Sequence, residues 1–265
     1  MNQDKKIILI GTTLFALVAF FTFVRPMINQ RKDSSDNLDP VATKQQQYPF
    51  VSVSDLKEEM GNVFLIDSRA AIDFYQEHLI GSQNITAETI TQSLAKIDRA
   101  RKIIIIGADS NDISARNVAE SLRQTGLENF AILSGGITAW TESGGQTFRL
   151  GTPSSLSDKA KISILKPEEV KSILDSQDSR LFILDLRSSG QYSAEHLPGA
   201  KNIPASELEN QFKTIPLGKN IVFYTASDLE AFQMGVALFD LGYPRSSALE
   251  GGLDAWKAKG YPTEK

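Results

Sequence analysis

The chain has 265 residues, 41% hydrophobic and 23% charged, with a formal net charge of −4. That length and composition suit more than one folded globular domain, and the charge excludes broad nucleic-acid affinity. Cysteine is absent, which excludes disulfides, thiolate metal sites, cysteine acylation and any chemistry through a protein thiol. The lack of cysteine also leans weakly towards a location outside the cytoplasm, where wrong disulfides are the hazard.

Lys5-Lys6 precede an uncharged apolar run from Ile7 to Val24, and Arg25-Pro26 end it. As a helix its 18 residues span roughly 27 Å, close to a hydrocarbon core of about 30 Å. A cleavable signal peptide would need small residues near the end of the run, where this sequence has Phe20, Phe21, Phe23 and Val24. A buried soluble helix is the weaker alternative. Residues 1–26 are therefore expected to be a single-pass membrane anchor, contacting the bilayer through 7–24. Lys and Arg alone, counted on the two flanks, slightly favour a cytoplasmic C-terminal side. The short head and large folded part that follows resemble a signal anchor, so the expected location of that part is extracytoplasmic. Residues 27–47 are rich in Asn, Gln, Asp, Ser and Lys and read as a flexible tether.

From Tyr48 the pattern changes. Ser54 is a candidate cap for a short helix over Asp55–Met60. Val63–Ile66 and Ile103–Ile106 are continuous apolar runs, as expected of strands buried on both faces. Ser114–Thr125 reads as a helix and Phe130–Leu133 as another strand. Gly135-Gly136 turn into a helix carrying Trp140. A Gly/Pro/Ser-containing linker, 151–160, follows. The order then recurs: a helix opened by Pro167, strands Leu181–Leu184 and Ile221–Tyr224, a helix over Leu229–Leu241, strand Ser247–Leu249, and a Gly251-Gly252 turn into a helix with Trp256. Short apolar strands alternating with helices predict a parallel sheet covered on both faces.

The recurrence is an internal repeat. Residues 63–85 and 181–203 are identical at nine of 23 positions at an offset of 118, including Asp67/Asp185, Arg69/Arg187, His78/His196 and Asn84/Asn202. After Gly107/Thr225 the offset falls to 116, pairing Gly135-Gly136 with Gly251-Gly252 and Trp140 with Trp256. The first copy thus has two extra residues between 107 and 126. The expected organisation is a first domain over 48–150 and a second over 161–265.

In such sheets the binding crevice lies at the carboxyl ends of the strands. A strand ending in Asp-x-Arg, then an aromatic residue, Glu-His-Leu-Pro-Gly-Ala and Asn-Ile-Pro, then a strand and loop, then Gly-Gly-x-x-Ala-Trp, resembles the rhodanese family of sulfurtransferases. The second copy carries Asp185, Arg187, Tyr192, His196, Pro198, Gly199, Asn202, Pro204, Gly251, Gly252 and Trp256. The first copy keeps most of these, with Ile80 in place of the proline. The resemblance implies two three-layer α/β/α modules, each around a five-stranded parallel sheet. It also implies a catalytic cysteine directly after the central strand, whose persulfide would be stabilised by loop N–H groups and an arginine.

Neither copy has that cysteine. Gly107 and Thr225 occupy its position. The second loop, Thr225-Ala226-Ser227-Asp228-Leu229-Glu230-Ala231, has Asp228 for the family's glycine, Glu230 for its arginine and Ala231 for its serine. The first loop carries Asp109 and Asp112 and is longer. Carboxylates at a helix N-terminus are stabilised by its dipole; these are expected to fill the anion site from within and repel anionic substrates. No catalytic residue, cofactor or metal is therefore expected; two carboxylates per loop are thin for a hard cation. Thr225 with His196 as base would make a hydrolase, but the loop offers no adjacent base of the usual kind. His78 and His196 are expected to be structural, as are the Asp67/Arg69 and Asp185/Arg187 pairs, and Asp228 to cap the helix near Leu229. The expected function is a membrane-anchored, catalytically inactive pair of rhodanese-like modules that binds a protein or other ligand. The alternative is sulfur transfer with a cysteine supplied by a partner.

Overall fold

The computed structural model describes residues 48–265. The expected anchor and tether lie outside the described residues, and among the described residues no helix is long and apolar enough to cross a membrane.

The first module contains strands β1 (Phe50–Val51), β2 (Val63–Asp67), β3 (Glu77–Leu79), β4 (Gln83–Asn84), β5 (Lys102–Ile106), β6 (Phe130–Leu133) and β7 (Thr147–Arg149). The second contains β8 (Ser163–Leu165), β9 (Leu181–Asp185), β10 (Lys201–Asn202), β11 (Asn220–Tyr224) and β12 (Ser246–Leu249). Two five-stranded sheets result, in the orders β1-β6-β5-β2-β4 and β8-β12-β11-β9-β10. All their pairings are parallel. The orders coincide when each strand is replaced by its repeat partner, so the sequence repeat is a repeat of topology. The central strands are buried along nearly their whole length: Ile103 to Ile106, and Ile221 to Tyr224, are each 2% exposed or less. Both faces of these strands must therefore be apolar, which is why they read as unbroken hydrophobic runs.

Each sheet has a core on both faces. In the first module Ile66, Ile103, Ile105 and Leu122 pack on one side, and Leu65, Ile104, Ile106 and Trp140 on the other. Trp256 is fully buried in the equivalent layer of the second module. Two local expectations are corrected. The first helix spans Val53–Glu59, capped by Ser52 through the N–H of Asp55, and not by Ser54. The helix after the second loop starts at Asp228 and is capped by Ser227, whose hydroxyl accepts the Glu230 N–H; Asp228 is its first residue rather than its cap.

The modules are joined by more than chain. Ile80, Phe148 and Leu150 of the first pack against the core cluster of the second that includes Leu208 and Phe212. Beside this contact, Glu209 accepts the Gly81 N–H at 2.8 Å and lies 3.0 Å from His78 Nε2. The linker region is tied down as well. Arg149 forks onto Asp158 at 3.0 and 2.6 Å and reaches Asp240 at 3.1 Å. Asp158 also accepts the Thr152 N–H, and Lys161 bonds Asp240. Hydrogen bonding to Arg149 holds the Asp158 carboxyl at about 2, and burial of Asp158 opposes this without reversing it.

Candidate functional site

The loops after β5 and β11 stand where the chemistry of this architecture is expected. In the first module Gly107 ends the strand, and the Ala108 N–H donates to Asp112 Oδ2 at 2.5 Å. The same carboxylate accepts the Ser114 N–H at 2.8 Å and the Ser114 hydroxyl at 2.9 Å. Burial works against the Asp112 carboxylate, but the Ala108 and Ser114 N–H donors outweigh it and the group titrates below the usual aspartate range. Asp109 is turned to its own loop and accepts the Asn111 N–H.

In the second module the Ala226 N–H donates to Glu230 Oε2 at 3.1 Å. Ala226 is the repeat partner of Ala108. In both copies, then, the N–H directly after the family's cysteine position is engaged by a carboxylate four residues further on, Asp112 in the first and Glu230 in the second. The Thr225 hydroxyl donates to Ser227 O at 2.8 Å. His196 is turned elsewhere: its Nδ1 is 2.9 Å from Tyr192 O and its ring stacks on Tyr192. Thr225 and His196 therefore do not form a nucleophile–base pair.

The paired glycines bring a second wall against each loop. A Cβ on Gly136 would lie 2.4 Å from Gly107 O, and one on Gly252 would lie 3.0 Å from Thr225 O, both at positive φ. These contacts leave a cavity of about 340 Å³ lined by Thr225, Ser227, Asp228, Gly251 and Gly252, and one of about 240 Å³ lined by Phe50, Asp109, Asp112 and Arg116. Beside them the repeat exposes apolar side chains in pairs. Ile113 and Leu229, repeat partners in the first turn of their helices, are 66% and 56% exposed. Phe50 and Ile164, partners on the edge strands, are also exposed.

The Asp-x-Arg pairs brace the strand behind each loop. Arg69 grips Asp67 at 2.6 Å and its guanidinium donates to Glu77 O; Arg187 does the same with Asp185 at 2.5 Å and Glu195 O. Asn84 and Asn202 bridge the backbone carbonyls on either side of these residues. His78 bonds Phe74 O and stacks on the Phe74 ring, as His196 does with Tyr192. Among the described residues no group of three or more His, Asp and Glu side chains could hold a metal ion.

Sequence reasoning missed Glu209, Arg149, Asp158 and Tyr224. Tyr224 is buried beneath the second loop, its hydroxyl accepts the Leu197 N–H, and burial raises its pKa. Its position immediately before Thr225 was the available signal. Glu209 lies far in sequence from the residues it bonds and gave none. Between the modules a groove of about 530 Å³ is lined by Arg69, Tyr75, Arg149, Thr152 and Gln233; both of its arginines are already committed to aspartates.

Two parallel α/β modules, each with its Asp-x-Arg brace, its His-Leu turn and its Gly-Gly wall, define a tandem rhodanese-like protein. Comparison with known families agrees: the description "Rhodanese-like domain" matches residues 52–143 and 166–259, and the chain belongs to that family. It lacks the nucleophilic cysteine of an active rhodanese sulfurtransferase, having no cysteine at all. Among curated relatives it is similar to a thiosulfate:glutathione sulfurtransferase of Saccharomyces cerevisiae, 24% identical over 42% of this chain and 88% of the relative. It is also similar to a sulfurtransferase of Allochromatium vinosum, 27% identical over 34% of this chain and 82% of the relative. Among solved structures, a thiosulfate sulfurtransferase from Pseudomonas aeruginosa aligns over 82% of this chain and 43% of its own length, with 23% identity and a TM-score of 0.40. The Alr3790 protein from Anabaena sp. aligns over 38% of this chain and 81% of its own, with 32% identity and a TM-score of 0.36.

Proposed function

We propose that this chain is a non-catalytic binding protein. In this reading the rhodanese-like modules hold a partner protein at their former active-site mouths, and the segment 7–24 tethers them to a membrane with the modules on the extracytoplasmic side. The observation that carries the reading is the engagement of Ala108 and Ala226 by Asp112 and Glu230. An active loop needs that N–H free to meet a sulfur anion; here a carboxylate already meets it, and a second anion would be repelled. The exposed Ile113 and Leu229 beside the acidic loops give the mouth an apolar contact with a charged surround, the make-up of a protein-binding surface. Sulfur transfer through a partner's cysteine is disfavoured by the same engaged N–H groups, because the persulfide would still need them.

Three experiments test this. The full chain should transfer no sulfur from thiosulfate to cyanide above a blank without protein; turnover would overturn the non-catalytic reading. A photo-crosslinker at Leu229 should trap a defined partner in native membranes, and Glu230→Lys should abolish the adduct without unfolding the chain. An unchanged adduct would remove the loop from the binding surface. Protection of the modules from protease in spheroplasts would overturn the extracytoplasmic placement.

A further inference from the structure

The turn carrying His78 in the first module and His196 in the second faces a carboxylate in both. In the first, Glu209 accepts the Gly81 N–H at 2.8 Å and sits 3.0 Å from His78 Nε2, with 19% of its side chain exposed. In the second, Glu264 accepts the Gly199 N–H at 3.0 Å and sits 3.9 Å from His196 Nε2, with 54% of its side chain exposed. The same turn, with its Gly N–H and its His ring, thus holds one carboxylate closely and the other loosely.

The strand beside the turn repeats too. Thr147 donates its hydroxyl to Glu77 at 2.7 Å, and its repeat partner Thr263 donates to Glu195 at 2.8 Å. Trp140 Nε1 donates to Gln146 O, and Trp256 Nε1 to Pro262 O. What differs is how firmly the strand is kept. In the first module β7 pairs with β3 at three positions and runs on into the linker that Arg149 anchors. In the second module the strand is reduced to one bridge between His196 and Glu264, made by two backbone bonds of 2.9 and 2.8 Å.

We propose that the His196–Gly199 turn is a receptor for an extended peptide in which a hydroxyl residue precedes an acidic one, and that residues 262–264 occupy it as an intramolecular placeholder. The ligand adds as a short antiparallel strand, so main-chain bonds supply affinity and side chains supply selectivity. Its hydroxyl donates to Glu195, and its carboxylate takes the Gly199 N–H and faces His196. Lys257 first, and Thr263 second, hold the Glu195 carboxyl below the usual glutamate range. Glu195 therefore remains an acceptor, which admits a hydroxyl at that position and rejects a second acid. This site is separate from the loop mouths and does not depend on their role.

The test uses the full chain in detergent micelles and a fluorescent peptide of this chain's own segment, Tyr-Pro-Thr-Glu-Lys. Glu264→Lys weakens the placeholder and should bind the peptide about tenfold more tightly than the wild type, the factor expected when the open seat is about a tenth of the wild-type population. A peptide with Gln in place of Glu should lose that gain. Equal affinity of the two chains, or of the two peptides, overturns the proposal. A third measurement needs no substitution: in the wild type, hydrogen exchange at the Gly199 amide should be faster, relative to its intrinsic rate, than at the Gly81 amide. Equal protection at the two amides would also overturn it.

Discussion

Restoring the nucleophile should not by itself restore the chemistry, and the size of the shortfall follows from Glu230. In Thr225→Cys a persulfide or thiosulfate anion would seek the Ala226 N–H that Glu230 already accepts at 3.1 Å, bringing two negative charges to about 4 Å. That repulsion is about 1 kcal/mol in bulk water and about 4 kcal/mol near a protein surface. Glu230 sits half-exposed in the first turn of its helix, so a value of about 1–2 kcal/mol is appropriate. Changing Glu230 to Arg turns repulsion into attraction of similar size, a swing of about 2–4 kcal/mol, or about 30- to 1,000-fold in rate. The assay is transfer of sulfur from thiosulfate to cyanide by wild type, Thr225→Cys, and Thr225→Cys with Glu230→Arg. The wild type should match the blank and the double variant should exceed the single one by that factor. If the two cysteine variants run within about threefold of each other, a difference under about 1 kcal/mol, the carboxylate is not what closes the loop.

Other outcomes test the framework. Glu209→Ala removes the charged acceptor of the Gly81 N–H, which also faces His78, and should cost about 1.5–3 kcal/mol, seen as a lower urea midpoint and faster proteolysis within 151–160. Asp158 has a depressed carboxyl, so its contribution is present above the ordinary aspartate value of 3.8 and is lost as pH falls towards about 2. Asp158→Asn should therefore destabilise the chain by about 1–2 kcal/mol at neutral pH, allowing for solvent screening, and the difference from wild type should close in urea titrations near pH 2. Gly136→Ala should lower the melting temperature more than Gly252→Ala, because its Cβ would meet backbone at 2.4 Å rather than 3.0 Å.

The sheets were legible because burial on both faces forces unbroken apolar runs such as Ile103–Ile106, and the repeat then supplied the second module from the first. Weaker elements escaped. β1, β4 and β10 have only two residues each, too few to show a period, and β3 with β7 forms a pair set by contacts far apart in sequence. The caps at Ser52 and Ser227 were missed because each lies beside another plausible capping residue, Ser54 and Asp228, and only backbone geometry separates them. At the loops, the sequence indicated that carboxylates would replace the anion but not which ones. Asp112 and Glu230 each lie four residues after the alanine they bond, but Asp112 caps its helix from outside while Glu230 lies in the first turn of its own, because the first loop is two residues longer. Ile80 read as a lapse from the proline pattern; in the structure it packs on the second module's core.

That contact has a consequence for synthesis on the ribosome. Ile80, Phe148 and Leu150 pack on residues of the second module's core, such as Leu208 and Phe212. Phe212 follows Leu150, the last residue of this face, by roughly 60 residues, so at about 5–20 residues per second the first module waits about 3–12 s with the face uncovered. A holdase that binds nascent apolar surface would have its window there, and an arrested chain ending within the linker should be aggregation-prone even though its own sheet is complete.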